Sequence, residues 1–460
     1  MTDIRREAAQ ALQEITDQGG YSTLVIDRHL KAMTAPVSNQ DRRFFTLLVY
    51  ETLEHLASID AILNSLMKTP LQKAKPYVRA VLRIGICQLR HMDAVPDRAA
   101  IYETVELIKN SPYSRLSSFV NGVLRAAQRN GCRLPLEGLE PEGVKALSLQ
   151  YDMPTWIIET WIYSYGKEKT KELLQKMQTP GRVCVRTNRL LADKETALKA
   201  LQETGAEVQE GLLPDTFYCL HIPELSDWAA YREGVLTVQD EGSILAALAT
   251  GAKPGMTVLD MCAAPGGKSA YMAQMMGNQG IIISRDIHKH RVELIERTMK
   301  RLGVACVKAE VQDSTAAAET EYGRYDVVLL DAPCSGLGVL RSKPDIKWHH
   351  RAEEENELIE LQRRLLTAAQ KLVKKGGRLV YSTCTLNRRE NEDQVAWFLE
   401  HFPDFLIKDL QKDLPSLPEC DRLWDKHLTL WPRAQGHDGF FVAALEKMKE
   451  NKSGNEALGD

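Results

Sequence analysis

The sequence predicts a multidomain chain: an N-terminal all-α bundle, a small α/β module, and a C-terminal α/β domain on a doubly wound parallel sheet. Three observations predict it. Apolar residues recur at i, i+3/i+4 and i+7 through residues 1–132. From residue 240 onward, short apolar runs alternate with helical ones, as in a sheet wound by helices on both faces. The length of 460 residues accommodates two to four domains, at about 100–200 residues each.

Taken in order, IRREAAQALQEI, DRRFFTLLVYETLEHLASIDAILNSLM, YVRAVLRIGICQLRHM, AAIYETVELIKN and RLSSFVNGVLRAAQRN read as helices. Breaks at Gly19-Gly20, Thr69-Pro70, Val95-Pro96, Ser111-Pro112 and Asn130-Gly131 separate them. This sets a helical domain at 1–140. A helical linker follows at 141–179, opened by the Pro/Gly/Glu-rich RLPLEGLEPEGVK. At 180–236, RVCVRTN, DTFYCLHI and GVLTVQ read as strands and KETALKALQETG as a helix. The C-terminal domain, 237–447, alternates the strands TVLDM, GIIISRD, ACVKAEV, YDVVLLD and GRLVYST with helices such as KSAYMAQMM and KHRVELIERTMKRLG. These strands are continuously apolar, which suits a sheet covered on both faces. Residues 448–460, ending ENKSGNEALGD, read as a disordered tail.

Composition excludes several classes. Hydrophobic residues at 44% and charged residues at 26% are ordinary for a globular protein and exclude disorder as the main state. No stretch approaches the roughly 18 apolar residues of a membrane span, and the N-terminus lacks the apolar core of a secretory signal. A cytoplasmic protein with no membrane partner, acting as a monomer, is expected. The nine cysteines include no CxxC pair, so no metal site is expected, and an odd count in a long chain argues against a disulfide framework. Most should be buried as small hydrophobes, leaving one or two for chemistry. A net charge of −3 argues against a simple cationic nucleic-acid binder. Residues 71–133, however, carry eleven Lys/Arg against four acids. Such a region is either a phosphate-binding face or a solvated helical surface, and charge alone does not choose.

Ligands of doubly wound sheets sit at the carboxyl ends of the strands. There this sequence places Asp260-Met-Cys-Ala-Ala-Pro-Gly-Gly-Lys-Ser269, Asp286, Asp313, Asp331-Ala-Pro-Cys-Ser-Gly336 and Ser382-Thr-Cys-Thr385. The Gly-rich turn departs from a phosphate-binding loop, which needs a glycine where Cys262 stands, and from the G-x-G-x-x-G dinucleotide fingerprint. A turn over S-adenosyl-L-methionine fits better. Gly266 and Gly267 allow close backbone approach, Lys268 lies near the carboxylate, and Asp286 serves the ribose hydroxyls. A bare strand-to-helix turn is the plainer alternative. Cys334 and Cys384 each lie just past an apolar strand, in reach of a crevice. A thiolate adding to C6 of cytosine turns C5 into an enamine carbon able to take a methyl group. Asp331 can hydrogen-bond the N3/N4 edge of that base. Either thiol alone reads more simply as buried and structural; the two together, after strands of one sheet, favour chemistry.

With these residues in view, DMCAAPGGKS, DAPCSGLG, RSKPDIKW and YSTCT resemble the RNA cytosine-5 methyltransferases, as do VQDEGS at 238–243 and HDGFF at 437–441. The resemblance implies a Rossmann-like domain binding S-adenosyl-L-methionine. It makes Cys384 the nucleophile and Cys334 the thiol that helps release product. It places Asp331 at both base and cofactor, and Cys262, Ala263, Ala264, Pro265, Gly266, Gly267, Lys268, Asp286 and Asp313 at cofactor positions. SRDIHKHR and VQDST depart from the commoner pattern but keep the acids. The front half, through YVRAVLRIGICQLRHMDAVPDRAAIYETVELIKN and SFVNGVLR, resembles the NusB helical domain. That pairing is characteristic of the bacterial 16S ribosomal RNA methyltransferase B family. It implies 16S rRNA, naked or in an early assembly intermediate, as partner, with the helical domain and the small module binding RNA. Arg79, Arg83 and Arg90 are the phosphate contacts proposed at this point. A cytosine-5 methyltransferase of transfer RNA, a non-catalytic antitermination factor and a nucleotide hydrolase are the competing readings.

Overall fold

The computed structural model describes all residues except 1–2, 34–36, 180, 221, 223–224, 226, 350–353, 420–421 and 450–460. The expected tail from 450 on, and Cys420, lie outside the described residues. The chain divides into two units, Met1–Gln175 with Lys343–Ala352, and Lys176–Ser342 with Glu353–Asp460.

The first unit carries α1 (Ile4–Gln18), α2 (Ser22–Ala32), α3 (Asn39–Glu54), α4 (Leu56–Leu66), α5 (Pro76–His91), α6 (Asp97–Lys109), α7 (Ser117–Arg129) and α8 (Val144–Gln150). Most of α9 (Thr155–Met177) follows, interrupted at Gly166. Asp3 caps α1 by accepting from the Arg6 amide at 3.2 Å, and Ser38 and Asp41 form a capping box at α3. The apolar stripes meet in one core that includes Leu12, Phe45, Leu48, Ile62, Ile84 and Leu124.

Burial corrects two expectations here. Arg79 and Arg83 are four residues apart, so they share one face of α5, and that face turns inward. Arg79 pairs with Asp17 of α1, and Arg83 donates to Asp60 of α4 at 2.8 and 2.7 Å. Arg90 is half-buried and donates to the Cys132 carbonyl. These guanidinium groups hold helices together and leave little to offer a phosphate. The second correction concerns residues 343–349, read from sequence as part of the C-terminal domain. They pack in the helical unit: Asp345 accepts from the Ser22 amide at 3.0 Å, Lys347 pairs with Glu54, and the Trp348 indole donates to the Leu53 carbonyl at 2.8 Å. A buried ammonium needs a carboxylate, and Lys347 finds it on α3.

The second unit opens with β1 (Val183–Thr187), α10 (Lys194–Gln202), β2 (Glu207–Glu210), β3 (Thr216–Leu220), α11 (Ala229–Arg232) and β4 (Leu236–Val238). They make an antiparallel sheet of order β2-β3-β1-β4. The edge strand β2, polar EVQE, is the one that apolar runs did not reveal. Then come α12 (Glu241–Ala249), β5 (Thr257–Asp260), α13 (Gly267–Met275), β6 (Ile281–Asp286), α14 (Lys289–Arg301), β7 (Val307–Val311) and β8 (Tyr325–Asp331). After α15 (Ile346–His349), in the helical unit, follow α16 (Glu355–Leu372), β9 (Val373–Thr383), α17 (Glu392–His401), β10 (Phe405–Lys408), β11 (Arg422–Asp425), β12 (His427–Leu430) and β13 (Phe440–Lys447).

The large sheet runs β11-β12-β13-β9-β8-β5-β6-β7, with β10 pairing to β13. Its five central and right-hand strands are parallel, as expected. The doubly wound parallel sheet is extended at the other side by antiparallel strands, β13 pairing to β9 and β12 to β13, so the whole sheet is mixed. FFVAALEK is too short an apolar run to separate strand from helix by periodicity. The winding direction reverses between β5 and β8, so their carboxyl ends flank the crevice where such sheets bind ligands. Among the described residues no helix is long and apolar enough to cross a membrane.

Candidate active site

The turn after β5 enters α13 through Gly266, whose φ of 101° lies in the left-handed region. That conformation is what calls for glycine; a Cβ there would also press on the Met299 methyl at 2.9 Å and the Ile295 backbone at 3.4 Å. The turn closes on Gly266 N donating to the Ala263 carbonyl at 2.7 Å, and the Ala263 amide donates to the Arg285 carbonyl at 2.8 Å. Ala264 is half-buried and Pro265 exposed on the same turn. Inside it, the Ser269 hydroxyl donates to Asp260 Oδ2 at 2.6 Å and lies 2.7 Å from Ser284 Oγ. Asp260 Oδ1 is buried with no hydrogen-bond partner among the described residues.

Burial pushes the Asp260 carboxyl up to about 7, and the Asp331 charge adds to it. The folded state therefore holds a proton that the unfolded chain, with an Asp near about 3.9, releases. Stability attributable to this group falls as pH rises from about 4 to about 7. Asp260→Asn is expected to flatten that part of the pH dependence, measured as Tm of the ligand-free protein at several pH values. Asp240, also pushed up to about 7 by burial and by Asp438, keeps its own share. An unchanged slope in the variant would refute the assignment.

Lys268 on α13 donates to Asp331 Oδ2 at 2.7 Å, and the Ser382 hydroxyl donates to Asp331 Oδ1 at 2.8 Å. Burial works to lower the Lys268 ammonium, but the Asp331 carboxylate outweighs it and the net shift is upward. Asp286, at the end of β6, is buried and accepts from the His288 amide at 3.0 Å. Asp313 is exposed and held low by accepting from the Thr315 hydroxyl and amide. Cys262 lies half-buried on the turn, where burial and then the charges of Asp260, Asp331 and Asp286 push its thiol up. It is poorly placed to be a nucleophile.

The two remaining candidates meet. Cys334 Sγ, after β8, lies 3.5 Å from Cys384 Sγ, after β9. The contact with Cys384, then burial, then the nearby Glu390 raise the Cys334 thiol well above its ordinary range. Both loops are locked to a third: the Gly338 amide donates to the Cys384 carbonyl and the Gly439 amide to the Gly338 carbonyl, each at 2.9 Å. A Cβ on Gly338 would collide with the Gly439 carbonyl. This explains the HDGFF segment, and VQDEGS is tied to it. Asp240 Oδ2 accepts from the Asp438 amide at 3.1 Å, and Gly242 admits the Phe440 ring, whose centroid is 5.5 Å from Lys268 Nζ.

The structure thus gathers the β5 turn, Lys268, Asp331, Cys334 and Cys384 at neighbouring strand ends, with Asp286 one strand further along. It leaves the three arginines in another unit. Sequence reasoning passed over Asp260, Ser269, Ser382 and Glu390. The first three stand inside motifs already singled out; Glu390, in the polar run NRREN, reads as solvated and gives no local signal.

The donor set suits a ligand bringing an ammonium to Asp260 Oδ1, a carboxylate to the amino end of α13, and a diol to Asp286. Fold and strand-end chemistry together define the Rossmann-like methyltransferase class. Comparison with known proteins narrows this. The 16S rRNA methyltransferase RsmB/F profile matches residues 247–446, the NusB family 2–129, and the RsmF/B-like ferredoxin-like domain 153–220. That last match reaches back over α9, which sequence reading placed in a linker. The probable ribosomal RNA small subunit methyltransferase B of Bacillus subtilis is 38% identical, over 97% of this chain and 99% of its own. The corresponding Synechocystis protein is 34% identical, over 97% and 100%. The crystal structure of PH0851 superposes with a TM-score of 0.81 at 28% identity, over 96% of this chain and 99% of its own. The chain belongs to the ribosomal RNA small subunit methyltransferase B family.

Proposed function

We propose that this enzyme methylates C5 of a cytosine in 16S rRNA, with Cys384 as the attacking thiolate. The observation that carries the reading is the Cys334–Cys384 pair, 3.5 Å apart, beside the Lys268–Asp331 pair. S-adenosyl-L-methionine, when bound, supplies an electrophilic methyl group. The β5 turn, from Cys262 through Lys268, and Asp286 are the residues that would hold it, with Asp313 at the adenine end.

Cys384 Sγ adds to C6, forming the C–S bond and moving an electron pair toward C5. Asp331, fixed by Lys268 and Ser382, accepts a hydrogen bond from the N4 amino group of the base and orients the ring for attack. C5 then takes the methyl group. Loss of the C5 proton to a base at the site and cleavage of the C–S bond restore the ring and the Cys384 thiolate. Cys334 assists this release. The target base must leave its stack to expose C6, which suits a loop or a flipped nucleotide. The reading places the enzyme in the cytoplasm, on free 16S rRNA or an early assembly intermediate.

With Arg79 and Arg83 buried, the RNA contacts of the helical unit fall to exposed cations. Arg98, Tyr102, Lys109 and Arg125 line a groove of about 380 Å³ on α6 and α7. Arg98→Glu with Arg125→Glu is expected to weaken 16S rRNA binding and to reduce the salt slope by about 2. Arg83→Ala should instead cost about 3–5 kcal/mol of stability by stranding Asp60. Filter binding across salt, with urea denaturation, separates the two effects; a stable Arg83→Ala protein with weakened RNA binding would reverse the assignment.

The reaction is tested by methyl transfer from labelled S-adenosyl-L-methionine to protein-free 16S rRNA, with transfer RNA in parallel and the nucleoside identified by mass spectrometry. 5-Methylcytidine in 16S rRNA alone is the expected result. Label in transfer RNA alone would keep the chemistry and change the substrate. A different nucleoside would overturn the cysteine mechanism. No label in either RNA, with no cofactor binding by calorimetry, would favour the binding-factor reading.

A further inference from the structure

Glu390 is buried, and its carboxylate is saturated with donors. The Ser335 amide donates to Oε2 at 2.9 Å, Gln362 Nε2 to Oε2 at 2.9 Å, Asn387 Nδ2 to Oε1 at 3.0 Å, and the Ser335 hydroxyl to Oε1. Burial raises the Glu390 carboxyl, and four donors with no acceptor work against it, an arrangement that suits the ionised form. Burying such a charge is costly unless it is fully bonded, so the arrangement is specific rather than incidental. Its reach is what connects it to the thiols. Ser335 directly follows Cys334. The Ser335 hydroxyl also lies 2.7 Å from Thr385 Oγ1, and Thr385 directly follows Cys384. On the other flank of Cys334, Gln362 Nε2 donates to the Pro333 carbonyl at 2.9 Å. The main chain at Glu390 is itself held, its carbonyl accepting from the Tyr381 hydroxyl at 2.6 Å.

We propose that Glu390 is a positioning residue for the two-thiol chemistry: through Ser335 and Thr385 it holds Cys334 Sγ against Cys384 Sγ. This rests on the cysteine reading given above. The two loops are already tied through Gly338 and Gly439, and each thiol is fixed again at the residue next to it. The charged and titratable groups around Cys334 are Cys384 and Tyr381 from β9 and its loop, Asp331 at the end of β8, Lys268 of α13 beyond Asp331, and Glu390. The fixed Glu390 charge faces Cys334, raising its thiol and favouring retention of its proton.

The test uses the full-length protein with Glu390→Gln, which keeps the shape but turns an amide N–H₂ toward existing donors. Three quantities are read: S-adenosyl-L-methionine affinity, kcat on 16S rRNA, and the ratio of iodoacetamide modification at Cys384 to that at Cys334, by peptide mass spectrometry across pH. Affinity is expected to stay within about two-fold. A thiol displaced by about 1 Å lowers kcat by about 10²-fold. The modification ratio shifts by about ten-fold, one pKa unit's worth. A folded variant with kcat and modification ratio within about two-fold of wild type would overturn the proposal. So would a lower Tm and lower kcat with an unchanged ratio, since that marks a structural role alone. If Glu390→Gln does not fold, Ser335→Ala removes only the hydroxyl link and is read in the same way. The alkylation readout needs no RNA, so it still decides the positioning role if Cys384→Ala proves active and the cysteine reading falls.

Discussion

Cys384→Ala is expected to abolish methyl transfer while leaving S-adenosyl-L-methionine binding intact. C5 of cytosine is a weak nucleophile, and in the proposed reaction it becomes reactive only after a thiolate has added at C6. Alanine removes that addition without touching the β5 turn, Lys268 or Asp331. Losing a nucleophile that acts as one unit with its surroundings costs about 10⁴-fold or more in rate. The stability cost is small, about 1 kcal/mol, because one sulfur is removed from a half-buried position. Initial rates with labelled cofactor, with calorimetry of cofactor binding on the same preparation, check both halves. Transfer at the wild-type rate would remove Cys384 from the mechanism. Loss of cofactor binding as well would mean that the substitution had damaged the turn instead.

Cys334→Ala has the second largest expected effect, and of a different kind. Methyl transfer to C5 should still take place once, because Cys384 and the cofactor turn are intact. Release should then stall, because the thiol 3.5 Å from Cys384 Sγ is gone. A positioned proton carrier contributes about 10²–10⁴-fold to such a step. The expected result is a single-turnover burst and a denaturation-resistant protein–RNA adduct carrying the methyl label. Gel electrophoresis under denaturing conditions, with mass spectrometry of the crosslinked peptide at Cys384, measures it. Steady turnover with no adduct would show that Cys334 is structural. The double variant, lacking both thiols, should form no adduct.

The legible parts of this protein are those governed by local rules. TVLDM, GIIISRD and YDVVLLD are continuous apolar runs bounded by turn residues, and each folds as a strand of the large sheet. The acids, glycines and cysteines that follow them reach the crevice because a parallel sheet collects its carboxyl ends on one edge. β13 was less legible, since a run of about six apolar residues suits a strand or a buried helix equally. Residues 343–349 were read into the wrong unit because chain order says nothing of a segment that leaves one domain to pack in another.

Charge was the least legible property. Arg79 and Arg83 in a basic stretch read as phosphate ligands, and only the packing of α5 against α1 and α4 shows that Asp17 and Asp60 already hold them. Glu390 is the converse, a charge that reads as solvated and lies buried among four donors. By itself the sequence determined the strand-end chemistry and the domain classes, because apolar periodicity and turn residues act over a few neighbours. The tertiary structure alone decided which charged groups are spent internally and how far apart the two thiols stand. Both depend on partners tens to hundreds of residues away, and desolvation makes burial, rather than residue type, set the energy of a charge.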